Sequence, residues 1–194
     1  MGRFPGRLGR AIGLAGGLTA AGYVGLSTGA LTVDLNVGRR ARPLGPLTVD
    51  IGAARAEVFD ILTRPYLSQH PTPPWRDRLR VLERGGDTVL ARHEAPMWAG
   101  LATRTVELLR FTAPDRVDVR LLRGPVPHVV EEFVLSDHGL TTRVEYAGEL
   151  ATDLWAVGAL WGAVVARRRE NAVAQALVAV KAEAERTTGG PRPD

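Results

Sequence analysis

The chain has 194 residues, 45% hydrophobic and 24% charged, with 25 basic against 21 acidic residues and no cysteine. That composition describes one globular domain and excludes disordered and fibrous chains, disulfides, thiol catalysis and cysteine-ligated metal or iron–sulfur centres. The basic excess is local: residues 1–46 hold six arginines and one acid, whereas residues 47–194 hold 19 basic and 20 acidic residues, which removes the charge argument for a nucleic-acid partner.

Residues 1–10 form a basic flank carrying Arg3, Arg7 and Arg10, and the next 23 residues, 11–33, are uncharged. As a helix rising 1.5 Å per residue they would cross a hydrocarbon core of about 30 Å. Only seven are Leu, Ile or Val and six are glycine, so insertion is favourable by roughly 2–4 kcal/mol. The length favours a retained single-pass anchor in the cell membrane. Its rivals are a signal peptide cleaved near Thr28, Gly29 and Ala30, and a soluble helix packed on the domain. Arginines on both sides leave the side occupied by the domain open. Gly13, Gly17, Ala21, Gly25 and Gly29 recur every fourth residue, a small-residue ridge suited to self-association, although a Gly- and Ala-rich composition also produces that spacing. Residues 34–46, ending RRARPLGP, read as a basic linker.

The folded domain is expected over 47–186, with a disordered tail at 187–194. Leu47–Ile51 alternates as a half-buried strand. Ala54, Val58, Ile61 and Leu62 give a helix over Ala53–Leu62 that closes at Arg64-Pro65, and the prolines of 65–74 predict a short helix and a rigid loop. Six strands follow at hairpin spacing: Arg80–Arg84, Asp87–Glu94, Leu101–Phe111, Arg116–Leu122, His128–Leu135 and Leu140–Gly148. The last element is a long helix, Asp153–Arg186, with Thr152 or Asp153 as its cap. Its first half, LWAVGALWGAVVA, reads as buried. After Arg167, Arg168 and Arg169 the apolar residues narrow to a stripe of Val173, Leu177 and Val180.

This order of elements resembles the START-related superfamily often called SRPBCC, especially its polyketide cyclase/dehydrase and lipid-transport branch. The likeness rests on Thr48–Ile51 running into Ala56–Leu62, on Pro114-Asp115-Arg116-Val117, on Gly139–Tyr146, and on the long Trp-containing helix. It implies an α+β helix-grip fold, an antiparallel sheet of about seven strands wrapped around the C-terminal helix. It also implies an apolar cavity between the two and binding of a hydrophobic small molecule, with catalysis in only some members and no cofactor.

If Phe133, Leu135, Val144 and Tyr146 face that cavity, alternation puts Val129 and Glu131 there too. Glu131 is then a candidate acid/base or headgroup ligand, unless a twist turns it outward or an arginine neutralises it. His93 and His128 are further proton-transfer candidates, each with a surface role as the plainer reading. Arg104 and Arg92 are placed to reach Glu131 or an anionic ligand, or to pair across strands on the outer face. Tyr66, Trp75, Trp98, Phe133, Tyr146, Trp155 and Trp161 are candidates for the cavity wall, with core packing as the alternative. No HExxH, phosphate loop or nucleophile elbow is present, so a metal or nucleotide site is not expected. The expected function is a membrane-tethered binding or carrier domain for a lipid, isoprenoid quinone or polyketide-like molecule. A cyclase/dehydratase-type enzyme is the alternative, and a non-catalytic structural or regulatory module the third.

Overall fold

Alternation of apolar and polar residues from position 40 to 152 builds seven strands in the computed structural model, which describes residues 22–68, 78–96 and 101–188. A short helix α1 (residues 22–28) precedes β1 (Arg40–Ile51), α2 (Arg55–Leu67), β2 (Leu79–Gly85), β3 (Thr88–Pro96) and β4 (Ala102–Thr112). The chain continues through β5 (Arg116–Arg123), β6 (His128–His138), β7 (Thr141–Thr152) and α3 (Trp155–Thr188). All pairings are antiparallel in one sheet of order β1-β7-β6-β5-β4-β3-β2. Gly86 and Gly139 take the left-handed conformation that the β2–β3 and β6–β7 turns require. α3 packs on β1, β7 and α2, giving the helix-grip arrangement.

Several boundaries differ from the sequence expectation for physical reasons. β1 begins at Arg40, not Leu47, so most of the expected linker is strand. It pairs with β7 from Arg40 opposite Thr152 onward, and a bulge between Leu44 and Leu47 absorbs Gly45 and Pro46. Prolines are tolerated there because β1 is an edge strand whose second side needs no donors. α2 runs through Pro65 to Leu67, since Tyr66 packs its ring against Phe111 and His93 and holds the last turn in place. α3 extends to Thr188, two residues into the expected tail; residues 189–194 lie outside the described residues.

The apolar N-terminal stretch is not one helix to Val33. α1 ends at Thr28, Gly29 turns the chain in a left-handed conformation, and residues 31–39 cross the end of the domain. Thr103 Oγ1 donates to the Ser27 carbonyl at 2.7 Å, Thr32 Oγ1 to the Gly124 carbonyl at 2.5 Å, and Tyr23 meets Trp161 edge-on at 6.0 Å. This part of the stretch is therefore docked on the domain. Among the described residues no helix is long and apolar enough to cross a membrane. The small-residue ridge is interrupted as well: Leu31 covers Gly25, and Gly29 sits against the Arg104 carbonyl. Gly13, Gly17 and Ala21 lie outside the described residues.

Asp153 does not cap α3 as expected. Its carboxylate accepts from the Leu35 and Asn36 amides at 2.6 and 2.8 Å and from Arg39 Nε at 2.8 Å, fastening the N-terminal segment to the start of the helix. Leu154 and Trp155, with φ of 69° and 48°, then reverse the chain into α3.

The first half of α3 is arranged opposite to expectation. Its small residues Gly158, Gly162 and Ala166 are buried, while Trp155, Val157, Leu160 and Val164 face outward. Close approach of the helix to β7 requires this, because a Cβ at Gly162 would already lie 3.2 Å from Thr152 and 3.3 Å from Leu150. Further along, Leu177 and Ala184 return to the core.

Candidate functional site

Two apolar clusters lie between sheet and helices. One is built on α2, β3–β5 and the C-terminal half of α3, the other on Leu44, Leu121, Val129, Tyr146, Leu150 and Ala166. Phe133 and Val173 touch both. Among these residues the sequence places two carboxylates and an arginine that meet in a single hydrogen-bonded group.

Glu131 faces inward as alternation on β6 requires, between buried Val129 and Phe133. It is met by Arg169 of α3 as a fork: Nε donates to Oε1 at 2.5 Å and Nη2 to Oε2 at 2.7 Å. Tyr146 Oη, from the neighbouring strand, also donates to Oε1 at 2.7 Å. Arg169 Nη1 reaches Glu107 Oε1 on β4 at 2.9 Å, and Thr105 Oγ1 donates to that same oxygen at 3.1 Å. The side chains of Glu131, Glu107 and Arg169 are 3%, 8% and 18% exposed, so this is an interior ion triad. Gly148 stands directly opposite Glu131 in the pairing, where a Cβ would come within 2.9 Å of Glu131 Cγ; its missing side chain leaves room for the carboxylate.

His93 comes from β3 on the same face. Its Nε2 lies 3.5 Å from Glu107 Oε2, too far for a good hydrogen bond, and that nitrogen is buried without a hydrogen-bond partner among the described residues. The Tyr66 ring lies 5.7 Å from the His93 ring. Burial lowers the His93 pKa below its ordinary value, with Arg169 adding to the effect and Glu107 and Glu131 opposing it, so the ring is neutral at pH 7. For Glu107 burial favours the neutral acid, but Arg169, by charge and hydrogen bond, and the Thr105 hydroxyl outweigh it and its pKa is lowered. Burial first, and then the nearby carboxylates, raise the pKa values of Tyr66 and Tyr146, keeping both phenols protonated donors.

Other sequence candidates lie elsewhere. His128 is half-buried on the outer face, its Nε2 3.5 Å from Glu149, and has no access to Glu131. Arg104 is exposed and pairs across strands with Glu94 on that outer face, so it does not line the interior. Trp155 is 56% exposed and lies over the Gly38 backbone at the start of α3. Trp161 is half-buried and donates Nε1 to the Pro125 carbonyl at 2.9 Å. Phe133 and Tyr146 stack at 5.2 Å inside the sheet–helix layer. Trp75 and Trp98 lie outside the described residues. An open cleft of about 340 Å³ sits apart from the triad, between the start of α2 and the β6–β7 turn. Arg55 in its wall is already paired with Asp115 and Asp137.

The residues missed in the sequence are Arg169 and Glu107. Arg169 stands four residues before Val173 and eight before Leu177, so the inward stripe of α3 extends back to it. Glu107 alternates with Leu109 and Phe111 on the inner face of β4.

No protein-family model and no curated protein matches the sequence. Solved structures do match. The Zhui aromatase/cyclase from Streptomyces sp. R1128 superposes with a TM-score of 0.56 at 20% identity, over 79% of this chain and 99% of that one. The di-domain ARO/CYC BexL from the BE-7585A biosynthetic pathway gives 0.57 at 16% identity, over 80% of this chain and 52% of that one. A START superfamily protein from Mycobacterium smegmatis gives 0.53 at 15% identity, over 77% and 98%. At these identities the likeness is one of fold: the chain has the helix-grip architecture of START-like and aromatase/cyclase structures.

Proposed function

We propose that the chain is a membrane-tethered domain that binds or carries a hydrophobic small molecule of the lipid, isoprenoid quinone or polyketide-like kind between the sheet and α3. The observation that carries this reading is a hydrogen-bonded polar cluster, with a buried and unpartnered His93 nitrogen, inside an otherwise apolar interior. An unpaired buried nitrogen carries a desolvation cost that a ligand carbonyl or hydroxyl would relieve. Apolar walls with a few placed polar groups are the usual make-up of a small-molecule site. The fold shared with a START superfamily protein supports the same reading.

Because α1 and residues 31–39 are engaged by the domain, the tether in this reading is the uncharged stretch 11–21 behind Arg3, Arg7 and Arg10. Solvent extraction of purified full-length protein, followed by mass spectrometry, is expected to release one apolar compound in near-stoichiometric amount. His93→Leu is expected to retain several-fold less of it. A protein that releases nothing, and shows no saturable binding of a fluorescent fatty acid or a naphthoquinone, overturns the reading.

A specific observation favours a second reading, catalysis of cyclisation or dehydration. A neutral His93 beside the ionised Glu107 is a proton acceptor held in the apolar interior. On this reading Glu131→Gln and His93→Ala lower turnover of a polyketide-like substrate by roughly 10²-fold or more, while His128→Ala leaves it unchanged. Equal turnover in all three variants removes the catalytic roles.

A further inference from the structure

Among the described residues nothing packs on the outward side of the first half of α3. Val157 and Leu160 are 71% and 73% exposed, and Val164 extends the same surface along the helix. Large apolar side chains on one continuous surface, with the small residues turned inward, mark a contact surface and not a core helix.

The charges around this surface indicate what it meets. From Trp155 to Arg169 the helix contains no acidic residue. Exposed Arg167 and Arg168 follow Val164 three and four residues on, one turn further along the helix. Arg40 and Arg42 stand at the other end, opposite Thr152 and Leu150 on β7. All four are without an ion-pair partner among the described residues. The nearest acids are already engaged, Asp153 by Arg39 and Glu170 by the Gly45 amide. Tyr23 of α1 also packs on Trp161 of the same helix. An apolar helix face rimmed by arginines is complementary to the interface of an anionic bilayer.

We infer that the outward face of α3 formed by Val157, Leu160 and Val164 is seated on an anionic lipid surface. The inference rests on the reading of the chain as a membrane-tethered domain and adds the surface and orientation by which it sits. Arg169 faces the sheet from the opposite side of α3, so its guanidinium lies one helix diameter, about 10 Å, from the lipid. An apolar ligand leaving the bilayer thus has a short path to the polar cluster.

The absence of cysteine allows a direct test on the full-length chain. Leu160→Cys and Val178→Cys, two exposed positions in different halves of α3, are labelled with the fluorophore NBD. They are mixed with vesicles of phosphatidylcholine and phosphatidylglycerol in equal parts. The Leu160 probe is expected to shift to the blue and to be quenched by spin-labelled lipid, and the Val178 probe to do neither. In unlabelled protein, Val157→Glu with Leu160→Glu is expected to lower vesicle partitioning about tenfold with unchanged circular dichroism. Co-sedimentation with a Leu160 probe that stays in water overturns the docking surface and leaves the tether standing. Failure to co-sediment overturns both. Blue emission before lipid is added also overturns the inference: dependence on protein concentration then identifies a second copy as the occupant, and independence identifies residues 1–21.

Discussion

Replacing Arg169 by methionine is expected to lower the unfolding free energy by about 3–5 kcal/mol at pH 7, because it leaves the Glu107 and Glu131 carboxylates buried without their counter-ion. The effect has a pH signature. In the native protein the Glu107 pKa lies below its unfolded value, so this group contributes stability above the unfolded pKa that is lost as pH falls through the folded one. Without Arg169 burial dominates and the folded pKa rises above the unfolded value, so the variant loses stability as pH rises. The deficit is therefore largest at neutral pH and shrinks as the pH falls through the ordinary carboxylate range of about 4.3 and on through the lowered folded pKa of Glu107. Urea unfolding at pH 7.5 and at pH 4 reads this directly. A deficit of equal size at both would assign the loss to packing of the arginine stem. Adding Glu107→Gln and Glu131→Gln to Arg169→Met is expected to restore most of the stability, since a neutral interior has no charge left to compensate.

Gly158→Ala is expected to cost about 3 kcal/mol, the upper part of the usual range for overpacking. A Cβ at this position overlaps the Asp153 carbonyl oxygen, a backbone atom held by the reversal at Leu154 and Trp155. Relief requires moving Asp153, whose carboxylate fastens residues 35–39. Faster amide exchange at Leu35 and Asn36 should accompany the fall in thermal stability. Gly162→Ala is the contrasting case. Its Cβ meets only side-chain atoms of Thr152 and Leu150 at 3.2–3.3 Å, which yield slightly, while helix propensity gains up to about 1 kcal/mol. Equal losses in both variants would indicate general crowding between α3 and β7 and refute the special role of the reversal.

Most of the fold is legible in the amino-acid pattern because strand alternation and turn residues are local signals. All six meander strands lie within a few residues of their expected bounds, and Glu131 faces inward with Val129, Leu135, Val144 and Tyr146 as alternation requires. What is not legible depends on contacts between distant segments. RRARPLGP has the composition of a linker, and only the presence of β7 makes it a strand. The arginine that neutralises Glu131 comes from α3, 38 residues later, and not from the strands that hold Arg92 and Arg104. The run LWAVGALWGAVVA contains both a face that packs and a face that does not. Average hydrophobicity hides the division, which becomes visible only when the small residues at 158, 162 and 166 are separated from the large ones.

The bulged, proline-bearing β1 also bears on how copies of this chain behave toward one another. A sheet edge with free amides and carbonyls is a template on which another molecule can add a strand. Pro43 and Pro46 remove two of those donors, the irregularity at Leu44 bends the line of the rest, and exposed Arg40 and Arg42 place like charges where a second β1 would approach. At the far edge, β2 has its own irregularity between Val81 and Glu83 and alternates exposed Arg80 and Arg84 with Glu83. The residues that look least like structure are thus the ones that protect an open sheet from aggregation.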